Sequence, residues 1–307
     1  MNRFTAVAAL ALEEMPAELL AELAEHGIDP ARLYRDICWA IEEDLPGEDV
    51  TSWSTIPREQ VEIADFVARG DGTVAGLAVA EMVLRCVLGT ELVVSRMVRD
   101  GDRVRRGQVL LSVEAATGLL LTAERTALNY LCHLSGVATA TAEWVDALAG
   151  TATRVRDTRK TIPHLRALDK YAVRCGGGVN HRENLSDQAL IKDNHVLAAG
   201  GVVAAQRLVR EAFPAIRIQV EVTELSQLLE LLEVGVDSVL LDNMSDEQMS
   251  EAVRITAGRC TLEASGGLTL SRARDVAATG VDFIAVGALT HSAKVLDIAM
   301  DLRSKPV

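Results

Sequence analysis

In the second half of this 307-residue chain, short β-rich runs end one after another in charged residues or glycines. The run at 154–158 ends in Thr158 and is followed by Arg159 and Lys160, and the run at 189–192 ends in Lys192 beside Asp193. Glu221 lies at the end of 216–222, and Asp242 with Asn243 follows 238–241. Ser265-Gly266-Gly267 follows 260–264, and Gly287-Ala288 follows 283–286. Between the first two runs, segment 175–183 holds three consecutive glycines, then His181 and Arg182. One charged strand end is as readily a solvated terminus or a structural salt bridge; all six together point to a site.

The residue types define the chemistry. Arg159, Lys160, His181, Arg182 and Lys192 form a cationic group that an acidic chain has little reason to gather without an anionic ligand. An arginine fork suits bidentate contact with carboxylate or phosphate, and lysine supplies a mobile point charge. Glu221 and Asp242 are oxygen ligands able to hold Mg²⁺, directly or through water, beside ligand phosphates. Ser265, Gly266 and Gly287 offer bare backbone N–H groups where helices begin, the usual phosphate position of a barrel's last loops. The inventory fits a substrate with carboxylates and several phosphates, together with Mg²⁺.

Other readings of single residues compete. Lys192 at a strand end also suits a Schiff-base lysine, but that route needs a neutral amine and an adjacent Asp193 favours the charged form. The glycines 176–178 form either a flexible hinge or a loop that closes on ligand. His181 and His291, each taken alone, read as readily as structural histidines; His164 and His195 have no strand-end logic. The segment 101–113 is similar to the strands of biotin- and lipoyl-carrier domains, yet it contains no lysine to modify, so a structural sheet is the better reading.

These groups need elements to position them. After residue 150, β-rich runs alternate with amphipathic helices, which implies parallel strands. Leu225, Leu228, Leu229 and Leu232 trace one helical face, with Thr223 expected to cap it and Gly235 to close it. Ser245 and Gln248 form a capping box. Gly235-Val-Asp237 and Gly280-Val-Asp282 mark a repeated αβ module. No GxGxxG follows the first strand, which argues against a dinucleotide fold. Six candidate strands predict an α/β barrel, incomplete against the usual eight.

The first half reads differently. A helix is expected over 31–45, a loop at 51–53, and short strands at 61–68, 76–79, 92–98 and 109–113 separated by glycine turns, with a helix over 124–135. The expected fold class is α/β: an N-terminal α/β sandwich plus an incomplete, six- or seven-stranded α/β barrel. The expected boundaries are an extension over 1–25, the sandwich over 26–135, the barrel over 136–289, and a C-terminal helix over 290–307 packing on the sandwich.

Composition narrows the function classes. The formal charge of −13 argues against nucleic acid as the default partner, since phosphate-backbone binding needs a basic footprint. With 3% aromatic residues there is little to stack bases on. Five scattered cysteines without metal-like spacing read as reduced thiols of a cytoplasmic protein. Residues 1–12 superficially resemble a signal peptide, but Glu13 and Glu14 follow and no convincing cleavage site appears. No stretch of 18 apolar residues occurs, so no span is expected.

Seven motifs then stand in one order: Glu124-Arg-Thr-Ala-Leu-Asn129, Asp157-Thr-Arg-Lys-Thr161, Gly176-Gly-Gly-Val-Asn-His-Arg182, Leu190-Ile-Lys-Asp-Asn194, Glu221-Val222, Leu241-Asp-Asn243 and Glu263-Ala-Ser-Gly-Gly267. In this the chain closely resembles the quinolinate phosphoribosyltransferases, from about residue 30 to its end. The resemblance implies that quinolinate and phosphoribosyl pyrophosphate give nicotinate mononucleotide, pyrophosphate and CO₂ with Mg²⁺. It implies a homodimer whose sites are completed by the neighbour's N-terminal domain, with Arg125 reaching across. It places Arg159, His181 and Arg182 on the quinolinate carboxylates, and Lys160 and Lys192 at the substrate and phosphoribosyl end, with Thr158 and Asp193 also binding substrate. Glu221 and Asp242 take the ribose hydroxyls and the metal; Ser265, Gly266, Gly287 and His291 take the 5′-phosphate. Two alternatives remain: a same-scaffold homologue of the molybdenum-transport-associated type, and a non-catalytic anion-binding module.

Overall fold

The computed structural model describes residues 10–303. In chain order the first elements are α1 (Ala17–Glu25), α2 (Pro30–Asp44), α3 (Val50–Thr55), β1 (Val61–Ala68), β2 (Gly72–Thr73), α4 (Leu77–Leu88), β3 (Val93–Arg96), β4 (Arg103–Val104), β5 (Val109–Ala116) and α5 (Thr117–Ala147). There follow β6 (Arg154–Arg156), α6 (Arg166–Cys175), β7 (Ala189–Ile191), α7 (Asp193–Ala199), α8 (Val202–Ala212), β8 (Ile218–Val222) and α9 (Leu225–Val234). The last are β9 (Ser238–Asp242), α10 (Asp246–Thr256), β10 (Thr261–Ser265), α11 (Ala273–Ala278), β11 (Phe283–Ala285), α12 (Ala288–His291) and β12 (Ile298–Arg303). The chain folds into two compact units. Thr141–Thr161 and Gly177–Ser292 form the second, and Ile162–Gly176 and the segment from Ala293 join the first.

The first unit is an antiparallel sheet, β12-β1-β5-β3, with covering helices. Asp29 accepts from the Ala31 and Arg32 amides ahead of Pro30, and Leu33, Ile37 and Ile41 recur every fourth residue on the buried face of α2. The expected strand at 76–79 is instead the start of α4. Four apolar residues alone do not distinguish strand from helix; the ten apolar residues of α4, all of them buried, do. Asp100 caps α4 by accepting from the Gly76 and Leu77 amides. Residues 51–53, expected as a loop, lie in α3, capped by Asp49.

The expected C-terminal helix is also corrected. Only the short α12 is helical; residues 298–303 form a strand that pairs with β1 from Ile298 opposite Ala68 to Arg303 opposite Ile63. The outer edge of β1 would otherwise present unpaired N–H and C=O groups. Positions 304–307 of that expected helix, and 1–9 of the expected extension, lie outside the described residues. The extension's described part is no loose tail: Met15, Leu19 and Leu23 are buried and Glu22 pairs with Arg96.

The second unit is a six-stranded parallel sheet in the order β6-β11-β10-β9-β8-β7. This is the cyclic order of a barrel: consecutive strands are neighbours, and the last pairs with the first. The cycle is interrupted between β6 and β7, where a single bridge from Arg156 to Val179 stands in for a strand pair. Glu224, not the expected Thr223, occupies the N-cap position of α9 and makes no side-chain cap, whereas the Ser245–Gln248 capping box is present. No helix among the described residues is long and apolar enough to cross a membrane.

In the first unit, the backbone at Lys294–Val295 lies against α5 at Gly136. A Cβ there would sit 2.8 Å from Val295 Cα and closer still to the Lys294 carbonyl oxygen. Gly136→Ala is therefore expected to destabilise the fold by about 1–3 kcal/mol through overpacking, as read by urea denaturation; an unchanged midpoint would contradict this contact.

Candidate active site

The strand ends of the second unit open onto a cavity of about 710 Å³. Its walls follow the two-residue period of β-structure: Leu190 and Lys192, Leu240 and Asp242, Glu263 and Ser265, Ala285 and Gly287 all line it, as does Glu221. Thr158, Arg159, Lys160, His181, Arg182, Gly266 and His291 complete the set expected from sequence. Asp193 is not part of the lining; it is the exposed first residue of α7. Arg125 belongs to the first unit, exposed on α5, with a long 4.0 Å approach to Glu124.

One wall is built around β6. Asp157, fully buried, accepts from the His181 amide at 2.8 Å and from the Asn180 side chain. This clamp fixes the glycine-rich segment in the barrel's gap. His181 Nδ1 then accepts from the Arg182 amide at 2.7 Å, which leaves Nε2 as the protonated nitrogen, 2.7 Å from Gln219 Oε1. Both ring nitrogens of His181 are thus engaged within the protein.

The arginines are less satisfied. Arg182 Nη1 donates to the Gln188 carbonyl at 2.9 Å, but Arg182 Nε and Arg159 Nε are buried without hydrogen-bond partners. Burial, and then the charge of Arg159, hold the Arg182 guanidinium below the usual arginine range, against a smaller opposing effect of Asp187. Two like charges kept within electrostatic reach with unused donors describe a receptor for an anion carrying oxygens at two places.

The opposite wall carries acids. Lys192 Nζ is ion-paired with Glu221 Oε2 at 3.1 Å, the arrangement of a charge partner rather than of a free amine nucleophile. Asp242 Oδ2 accepts from Asn243 Nδ2 at 2.8 Å. Asn243 adopts φ +54° and its amide donates to the Ser265 carbonyl at 2.9 Å, so β9 and β10 end in register. Gly266 has φ +95°, and a Cβ there would overlap Asn243 Oδ1 and fall 2.9 Å from the Asn243 amide nitrogen; the position demands glycine on both counts. Gly287 has an ordinary backbone conformation and is limited only by space, with Lys160 Cδ at 2.8 Å and His291 Nε2 at 3.2 Å from a Cβ position.

Glu263 and Gln219 are among the participants that carried no assigned role in the sequence reading. Both are fully buried, and Glu263 meets Arg156 at 2.7 Å and His181 at 3.5 Å. Burial alone would raise the Glu263 carboxyl, but the His181 contact and the Arg156 charge outweigh it and hold it below the usual range. Alternation was the available signal: Glu263 stands two residues before Ser265, on the same face of β10.

Among the described residues no group of three or more His, Cys, Asp or Glu side chains is placed to hold a metal ion. Glu221 and Asp242 line the cavity without belonging to any such cluster.

Cations and glycine turns at the carboxyl ends of parallel strands define an α/β-barrel site for an anionic ligand. Family profiles match in two blocks: the quinolinate phosphoribosyl transferase N-terminal domain over residues 49–135 and its C-terminal domain over 137–301. The nicotinate-nucleotide pyrophosphorylase [carboxylating] of Mycobacterium leprae is 52% identical over 86% of this chain and 94% of that protein. The crystal structure of NadC from Streptococcus pyogenes superposes with TM-score 0.87 at 38% identity, covering 91% of this chain and 99% of that one. The nicotinate-nucleotide pyrophosphorylase from Francisella tularensis gives 0.86 at 34% identity, covering 89% and 96%. The chain belongs to the quinolinate phosphoribosyltransferase family.

Because Arg159 has no acidic partner among the described residues and sits within reach of Arg182, Arg159→Ala should leave the ligand-free protein within about 0.5 kcal/mol of wild type or more stable. A loss above about 1 kcal/mol in chemical denaturation would show that the guanidinium holds the fold.

Proposed function

We propose that the chain transfers the phosphoribosyl group of phosphoribosyl pyrophosphate to quinolinate and decarboxylates the adduct, giving nicotinate mononucleotide, pyrophosphate and CO₂ in NAD biosynthesis. The observation that carries this reading is the Arg159–Arg182 pair, two guanidiniums with buried, unpartnered Nε atoms at one cavity wall. Quinolinate brings two carboxylates on adjacent ring carbons, one for each fork. His181 orients the Arg182 backbone rather than meeting the substrate with a free nitrogen.

In the proposed reaction the pyridine nitrogen forms a bond to ribose C1 while the C1–O bond to pyrophosphate breaks, through an oxocarbenium-like transition state. Glu221 and Asp242 stabilise the cationic sugar and orient its hydroxyls, and Lys160 and Lys192 stabilise charge building on the leaving pyrophosphate. Lys192 is already poised by Glu221 at 3.1 Å. Thr158 and Asp193 flank these lysines; Thr158 Oγ1 accepts from the Lys160 amide at 2.9 Å and steadies that turn. The 5′-phosphate is received by Ser265, Gly266, Gly287 and His291, with the backbone amides supplying donors. Mg²⁺, when bound with the pyrophosphate, offsets its negative charge beside Glu221 and Asp242. Once the ring nitrogen is quaternary it draws the electron pair released by C–CO₂⁻ cleavage, and the ring carbon takes up a proton.

The working assembly in this proposal is a homodimer, with Arg125 exposed on α5 to serve the partner's site. The five cysteines are free thiols, which supports a reducing, cytoplasmic setting.

Incubation with quinolinate, phosphoribosyl pyrophosphate and Mg²⁺ should yield nicotinate mononucleotide and CO₂ in equal amounts; absence of both overturns the reading. Arg125→Ala and Lys192→Ala should each be inactive. After subunit exchange at equal amounts they should recover about a quarter of wild-type activity, because half the dimers are mixed and each keeps one intact site. No recovery, with exchange demonstrated, argues for a site within one subunit.

A further inference from the structure

The proposed reaction leaves one group at the cavity without a task. Glu263 lines the cavity yet is fully buried. Its Oε2 accepts from Arg156 Nη1 at 2.7 Å, and the Arg156 guanidinium lies over the Phe283 ring, 4.0 Å from its centre. Its Oε1 has no hydrogen-bond partner and stands 3.5 Å from His181 Nε2. The same Nε2 meets Gln219 Oε1 at 2.7 Å, while His181 Nδ1 accepts from the Arg182 amide. A chain of contacts therefore runs from Arg156 through Glu263 and His181 to the backbone of Arg182.

As a device for stability alone this is a poor choice. A buried ion pair is often no better than apolar residues of similar volume, and an unfilled carboxylate oxygen adds to its cost. The residues opposite Glu263 on the neighbouring strands, Leu240 and Phe283, are apolar. What the carboxylate supplies that an apolar residue cannot is a fixed negative charge facing the His181 ring, which sets how that ring meets the Arg182 amide.

We infer that Glu263 is a positioning residue for dicarboxylate recognition: held by Arg156, it fixes His181 and through it keeps the Arg182 guanidinium within reach of Arg159. This rests on the quinolinate reading above. Glu263→Gln keeps shape and hydrogen bonding to Arg156 but removes the charge, and the folded variant is expected to raise KM for quinolinate about tenfold or more. KM for phosphoribosyl pyrophosphate should stay within about twofold, because the Glu263 side chain meets Arg156 and His181 and none of the residues proposed to hold that substrate. Glu263→Gln combined with Arg156→Met removes the whole ion pair and should show the same selective defect, whereas a merely structural pair would be replaced without one.

Equal KM changes for both substrates, wild-type kinetics in either folded variant, or failure of both variants to fold would each overturn the positioning role. Wild-type protein measured alongside separates the two claims. If it does not turn over quinolinate the functional reading fails, whereas normal turnover by wild type and Glu263→Gln alike removes only the role of Glu263.

Discussion

Two arginines held within electrostatic reach, neither in an ion pair among the described residues, are the constraint on which the second unit is organised. Arg159 lies just beyond β6 and Arg182 on the segment that enters the barrel's gap, so neither position follows from one element alone. Asp157 ties the two stretches together, and Gln219 and Glu263 brace the histidine between them. Burial and mutual repulsion make this arrangement costly for the free protein, and a dianion relieves both costs at once. Binding energy is thus stored as a preformed, unsatisfied receptor instead of being spent on reshaping a loop.

The remaining walls obey a different logic. Where the arginines are short of partners, Lys192 and Glu221 have each other, and Asp242 has Asn243. In the proposed reaction those acids and bases exchange partners as a polyphosphate and a sugar arrive. Glycines at 266 and 287 keep side chains out of the space proposed for a phosphate, each with a neighbour closer than a Cβ tolerates. In the proposed reading, charge balance across one cavity separates a pole for carboxylates from a pole for phosphates.

Much of this was legible in the sequence. The barrel was, because its strands are short apolar runs bounded by glycine turns and its helices carry caps such as Ser245–Gln248. The strand-end residues were, because charge at such positions stands out in an acidic chain. α4 was not, since an apolar helix buried on nearly all sides shows no amphipathic period over its first turn. β12 was not, since six residues with modest alternation become a strand only when the edge of β1, over two hundred residues earlier, is available. Glu263 was visible within a motif, but its task depends on Arg156 and His181 reaching it from two other stretches, which spacing along the chain does not disclose.

The central claim is that the cavity is tuned to two carboxylates together. Titration calorimetry of pyridine-2,3-dicarboxylate and pyridine-3-carboxylate against the same protein addresses it directly. The account predicts that the diacid binds about 100-fold or more tightly, since the monoacid leaves one buried guanidinium unpaired. Equal affinities for the two acids would contradict it.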